Sequence, residues 1–511
     1  MREDLSAFVL RSRSVIRPYA TTLTTQADDR PENLPGRGRP CRALTMPPTA
    51  ARMSGLVGLL GCPAGPELRA GSSAAERLRL AVSEMWLHGA VEVAALIRRR
   101  EVSSVEVVEA FLRRIELVNV EINAVVTLAG ERAVGEARAA DRSIARSRVA
   151  GVFLGVPFTA KDVFETAGVE TVAGLRERVG LVPGEDAVAV SRMRHSGAIL
   201  VGKTNVPPGG SGGVTDNPVH GRTNNPFNRA RSAGGSSGGE AAIQAAGGSP
   251  VGLGSDSGGS LRVPAHYCGI ATLKPTSGRV PNTGVFGHAG GLSDTRTQIG
   301  PLSRFVRDLA PTLSVLVGPD NRDSGVVPMP LGDPDSAALA GLRVAFYTED
   351  GETPTTAETA AAVRDAAAAL GEAGANVTER CPAKVGHDAL EITRRYWGWN
   401  DLAGGESVRL LAEWDRFRTD VLTFMESVEL ILCPTAPGPA PLHGEDLEDM
   451  FRYTLPYSLT GQPCVVVPSG RSRDGLPIGV QVVGRAWRED QAIAAARCIE
   501  AALGGWRPPP I

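Results

Sequence analysis

The sequence predicts an α/β protein, and three observations predict it. Helical and strand periods alternate along the chain instead of segregating. Leu342 to Thr378 reads as strand, alanine-rich helix and strand, which is a βαβ unit. Two Ser-Gly clusters, Gly234 to Gly239 and Ser257 to Ser260, enclose a short helical run (Glu240–Ala246) and an apolar strand (Val251–Gly254). The chain has 511 residues, and that length alone suggests two or three domains.

Taken in order, residues 1 to about 80 are rich in Arg, Pro, Gly, Ser and Thr and lack a periodic apolar pattern. They read as a disordered or poorly packed extension, or as an over-extended translation start with Met85 the alternative. The ordered domain is expected over 85–508. A helical pattern begins at Val91. Ser103 and Glu106 form a capping box, followed by Val105, Val108, Leu112 and Ile115 at helical spacing. Ile122–Leu128 reads as a strand, and Phe153–Thr159 as another that delivers Lys161 at its end. Ala187–His195 reads as a helix closed by Gly197, and Ala198–Val201 as the next strand. Thr204–Arg231 is a Pro-, Gly- and Asn-rich loop without period, and a loop of that length in a compact domain is usually functional.

Further along, Thr355 and Glu358 read as the cap of the alanine-rich helix. The dozen residues after Thr378 carry no clear period. Glu391–Met425 is mostly helical and holds Tyr396, Trp397, Trp399 and Trp414, which serve either a substrate pocket or the core. Ile431–Pro434 is a buried strand. Cys464–Pro468 and Ile478–Val483 form a strand pair around Asp474-Gly475, and Glu489–Leu503 is the closing helix.

Composition excludes several classes. A net charge of −2 gives no basis for attraction to nucleic acid or membrane surfaces. No apolar run of about 18 residues exists to span a membrane. Leu59-Leu60-Gly61-Cys62 formally matches a lipoprotein cleavage site, but its apolar lead-in is too short for a signal segment. Seven widely spaced cysteines without a CxxC pair indicate reduced thiols and a cytoplasmic location. No zinc spacing occurs, so neither metal nor cofactor is expected.

The chemistry concentrates in the Ser-Gly clusters. Glycines on both sides of a serine let backbone N–H groups converge, as an oxyanion site needs, and make that serine a candidate nucleophile. Ser236 and Ser260 stand 24 residues apart. Of two other patterns, the first fails on context and the second is not excluded by the pattern alone. Gly197 to Thr204 satisfies the phosphate-loop spacing, yet Ala198–Val201 is itself the strand and Pro207-Pro208 disfavours the helix that should follow. Gly234 to Gly238 satisfies GxSxG, whose nucleophile needs a later acid and histidine; His266, His288, His387 and His443 are available.

Several blocks together resemble the amidase signature family. These are Gly155 to Asp162 with Lys161, Gly234 to Gly239, Gly254 to Ala265, Cys268 to Thr276, Gly300 to Leu309 and Leu459 to Gln481. The departures are small: Ser257 replaces the family's Thr, Leu261 its Ile and Thr272 its second Gly. The resemblance runs from about 88 to 503. It implies a large mixed β-sheet core flanked by helices (α/β/α). It also implies an amidase that forms a serine acyl-enzyme: Ser260 as nucleophile, Lys161 as base, Ser236 as the bridging serine with a cis peptide. The backbone N–H groups of Ser257, Gly258, Gly259 and Ser260 would form the oxyanion hole. Asp256 and Arg262 are read as a brace for that loop. For Lys161 the role requires a neutral amine, so the usual pKa near 10.4 must fall through burial. The expected partner is a small-molecule amide, with no nucleic acid and no membrane; a homodimer stays open. Two alternatives stand beside this reading: the glutamine amidase subunit of a tRNA-dependent amidotransferase, and a non-catalytic binding protein on the same fold.

Overall fold

The computed structural model describes residues 84–147, 151–288, 290–291, 294–445 and 449–511. The expected N-terminal extension and Leu59–Cys62 lie outside the described residues.

The chain enters through helices α1 (Ala90–Arg98) and α2 (Ser104–Ile122). Ser103 and Glu106 close the capping box at the start of α2, a device worth about 1 kcal/mol. The expected strand from Ile122 begins later. The helix continues through Ile122 and ends on Asn123 in the left-handed conformation, and β1 spans Val125–Leu128. Next come α3 (Gly130–Ala145), β2 (Pro157–Lys161), α4 (Val188–His195) and β3 (Ile199–Thr204). Residues 152–155 are turn rather than strand, so β2 starts at Pro157 and has Lys161 as its last residue.

The long loop that follows is not structureless. It folds into two ribbons, β4 (Asp216–Asn217) with β5 (Gly221–Arg222), and β6 (Asn224–Asn225) with β7 (Asn228–Ser232). Then come α5 (Gly238–Ala245), β8 (Val251–Asp256), α6 (Arg262–Cys268), β9 (Ala271–Lys274), β10 (Gln298–Ser303) and α7 (Leu309–Leu316).

The C-terminal part opens with β11 (Arg343–Phe346), α8 (Ala357–Glu372) and β12 (Asn376–Glu379), the expected βαβ unit with its strands parallel. The cap of α8 sits one residue beyond the expected Thr355: the Thr356 hydroxyl accepts from the Thr359 N–H. Residues left without a period after Thr378 supply most of the first turns of α9 (Val385–Trp397), and α10 (Glu406–Glu426) follows. The chain ends with β13 (Leu430–Pro434), α11 (Leu455–Leu459), β14 (Cys464–Arg471), β15 (Pro477–Gly484) and α12 (Glu489–Leu503).

Eleven strands form one mixed sheet in the order β1-β3-β2-β8-β10-β9-β14-β15-β13-β11-β12. Strand alternation assigns its two faces. Leu200, Leu430, Leu432, Val465 and Val467 enter one core with residues of α1, α4, α7, α8 and α12. Their neighbours face the other way. Ile199, Val201 and Val466 pack with α5 and α6, and Ile431 and Cys433 with α9 and α10. The result is the three-layer α/β/α arrangement. All five cysteines among the described residues are free thiols.

Candidate active site

Parallel pairing of β2 with β8 brings Lys161 beside the end of β8, where the glycine-rich loop begins. The lysine is fully buried. Its Nζ donates to Ser236 Oγ at 2.7 Å and to Ser255 Oγ at 2.8 Å. Burial pushes the amine down to about 7, while the Asp256 carboxylate pulls in the opposite direction. At neutral pH a substantial fraction of Lys161 is therefore the free amine. Sequence reasoning missed Ser255. A signal for it existed, because a buried lysine at a strand end needs acceptors from the adjacent strand.

Ser236 stands just before α5, 2% exposed, with a cis Gly235–Ser236 peptide bond. Gly234 and Gly259 adopt positive φ of 79° and 148°, which accounts for glycine at both turns. The two Ser-Gly segments are stitched together: the Ser237 N–H donates to the Ser260 carbonyl at 3.2 Å. Ser260 is partly exposed, and its hydroxyl makes no hydrogen bond among the described residues. The N–H groups of Gly258, Gly259 and Ser260 likewise donate to no acceptor there, so three successive amides are unpaired beside the serine. Ser257 is held differently: its hydroxyl contacts Thr297 Oγ1 at 2.6 Å. Lys161 and Ser236 are thus in direct contact, and Ser260 is adjacent through backbone.

The loop is braced from below. Asp256 and Arg262 form a fully buried two-pronged ion pair, with both contacts at 2.9 Å. Arg262 also donates to Thr454 O, Gln481 Oε1 and Ser458 Oγ, and the Leu261 N–H donates to Asp256.

Lys203, the lysine of the phosphate-loop pattern, lies inside β3. It forms a buried ion pair with Asp162 at 3.0 Å and donates to Phe164 O and Thr171 Oγ1. Only a 3-10 turn at Pro208–Gly210 follows it, not the α-helix that a phosphate loop opens. Of the four candidate histidines, His288 pairs with Asp294 and contacts Thr297 Oγ1, which bonds Ser257, but none hydrogen-bonds Ser236 or Ser260 among the described residues. His266 is taken up by the backbone of Gly438 and Gly479, His387 pairs with Glu352, and His443 contacts Arg229 O. Ser236 has Lys161 as its partner, not a histidine.

The aromatic group divides. Trp414 is buried and donates its Nε1–H to Leu459 O. Trp397 is 48% exposed, and its ring lies 3.4 Å from where a Cβ on Gly258 would stand. Core and cleft therefore share this cluster. No described helix is long and apolar enough to cross a membrane.

The family model described as Amidase matches residues 106–403 and 406–493. The chain is 33% identical over 477 residues to the glutamyl-tRNA(Gln) amidotransferase A-type subunit of Geotalea daltonii, covering 82% of this chain and 97% of that one. It is 32% identical over 465 residues to an acylamidase of Rhodococcus erythropolis, covering 81% and 95%. Among solved structures it is similar to 6-aminohexanoate cyclic dimer hydrolase complexed with substrate. There the TM-score is 0.74 at 31% identity, covering 84% of this chain and 99% of that one.

Proposed function

The chain belongs to the amidase signature family and is an amide-hydrolysing enzyme, and on that premise we propose that it works through an acyl-enzyme on Ser260. One observation carries the proposal: a fully buried amine with its pKa near 7, in hydrogen-bond contact with Ser236 beside the partly exposed Ser260. In the neutral form the Lys161 lone pair takes the Ser236 proton while Ser236 takes the proton of Ser260. The Ser260 Oγ attacks the amide carbon, and the carbonyl oxygen becomes an oxyanion facing the unpaired N–H groups of Gly258, Gly259 and Ser260, with the Ser257 N–H alongside. Collapse breaks the C–N bond, and the proton returns through Ser236 to the departing nitrogen. Water then attacks the ester by the same relay and releases the acid. Substrate binding has to bring the Ser260 hydroxyl onto Ser236, a tightening that catalytic contacts commonly undergo.

Hydrolysis of a panel of aliphatic and aromatic amides by wild type and Ser260→Ala tests the reading. Loss of turnover in the variant is expected; turnover that survives would remove Ser260 from the mechanism.

A second reading has its own support, because several similar relatives are named as glutamyl-tRNA(Gln) amidotransferase subunits. On that reading glutamine is the substrate and a tRNA-binding partner protein is required. Glutaminase activity that appears only with such a partner, and no turnover of simple amides, would select it.

A further inference from the structure

Arg296 precedes β10, within two residues of Gln298, which pairs with Asp256 at the start of the glycine-rich loop. Its side chain is 3% exposed. The guanidinium carbon sits 3.9 Å over the Tyr396 ring, 5.7 Å from the Trp397 ring and 6.0 Å from the Trp414 ring. Aromatic faces attract a cation, and Tyr396 also offers it a side-chain hydrogen bond. The Arg296 Nε and Nη1 are buried and have no hydrogen-bond partner among the described residues. The obvious carboxylate is committed elsewhere. Asp294 Oδ1 accepts from the N–H and hydroxyl of Thr297, and Oδ2 contacts His288 Nδ1 at 2.9 Å. Burial holds the Arg296 guanidinium below its ordinary pKa, with Tyr396 and Asp294 pulling the other way.

The position of this cation matters as much as its two unpaired N–H groups. Thr297 bonds Ser257, and the half-exposed Trp397 lies against Gly258. Arg296 thus stands, through Thr297 and Trp397, next to the loop whose free amides flank Ser260. Two unpaired N–H groups on a buried cation suit an anionic oxygen such as that of a carboxylate in charge.

We infer that Arg296 sets specificity by binding a carboxylate of the substrate, so that the favoured amides carry a free carboxylate remote from the scissile bond. This rests on the reading of Ser260 as the nucleophile beside it. The aromatic rings would line the chain between the two groups.

The test has two arms on the full chain. In the first, kcat/KM is compared for succinamate, glutaramate and adipamate against plain alkyl amides of equal length, in wild type and Arg296→Met. The expected result is a preference for at least one acid amide of about a hundredfold in wild type, falling at least about tenfold in the variant. In the second, succinate, glutarate and adipate are titrated against tryptophan emission, which needs no turnover. Saturable binding by wild type, weakened in Arg296→Met, is expected; Arg296→Lys serves if the methionine variant does not fold. Turnover of amides without acid preference, together with no dicarboxylate binding, overturns the inference and leaves the amidase reading intact. Dicarboxylate binding that depends on Arg296, without any turnover, supports the inference and counts against the nucleophile assignment.

Discussion

Lys161 is held between two opposing effects, and on the proposed mechanism the balance between them governs the pH behaviour of the enzyme. Burial lowers the amine to about 7 and the Asp256 carboxylate raises it, with burial the larger effect. Protonation removes the base, so kcat/KM is predicted to fall about tenfold per pH unit below about 7 and to level off above it. A profile flat from about pH 5 to 8 would contradict a lysine base. Lys161→Ala is expected to lose at least about 10³-fold in kcat, the scale seen when a member of a catalytic set is removed. Ser255→Ala removes one of the two hydrogen bonds that aim the amine. It should cost about tenfold in kcat with the fold intact, read by kinetics alongside a melting curve. At this scale the sequence was informative where chemistry sits in short blocks. Glycines around Ser236 and Ser260 marked them as candidates, while their separate roles and that of Lys161 followed from the family resemblance. Ser255 and Arg296 were not named: Ser255 needed the pairing of β2 with β8, and nothing local distinguishes an arginine with unpaired N–H groups.

The unit that holds the site is β8, its loop and α6, with α5 packed alongside. A Cβ at Gly259 would stand 2.3 Å from Thr454 Oγ1 and 2.6 Å from Phe451 Cδ1, at a φ of 148° that side chains rarely adopt. Gly259→Ala must therefore displace the loop carrying the free amides. A loss of about 10²-fold or more in kcat is expected, with a smaller change in KM. Behind the loop, Glu240 on α5 is fully buried and accepts from Thr204 Oγ1 and Gln244 Nε2, with Thr159 Oγ1 also in contact. Burial raises its carboxyl from 4.5 to about 7. The folded state thus holds a proton that the unfolded chain releases between those values, and stability present below about pH 4.5 is lost as pH rises to about 7. The size is on the order of 3 kcal/mol. Glu240→Gln should flatten the pH dependence of Tm across that window, and an unchanged slope would show that the carboxyl is ionised throughout. Strand and helix types were legible for most elements. Their ends were not: Ile122 continues a helix because Asn123 takes the left-handed cap, and β2 starts late because residues 152–155 turn.

Across the whole molecule, the buried Asp256–Arg262 pair ties the first half of the sheet to the second. Arg262 reaches Thr454 and Ser458 of the α11 region and Gln481 on β15, all far away in sequence. Asp256→Ala strands that guanidinium in the core, and a loss of about 3–5 kcal/mol in stability is expected by denaturant unfolding, together with loss of activity. The three-layer class followed from the family resemblance, and the βαβ unit from its own residues. The eleven-strand order was not, because β10 pairs with β8 and β9, and β15 with β13 and β14, across separations that no local pattern encodes. What decides the chemistry is where the acyl group travels. Rapid acid quench during turnover of a chromogenic anilide, followed by peptide mapping, locates it directly. The prediction is an acyl adduct on the peptide bearing Ser260, absent in Ser260→Ala and not formed in Lys161→Ala. An adduct on Ser236, or turnover with no adduct on any serine, would contradict the mechanism.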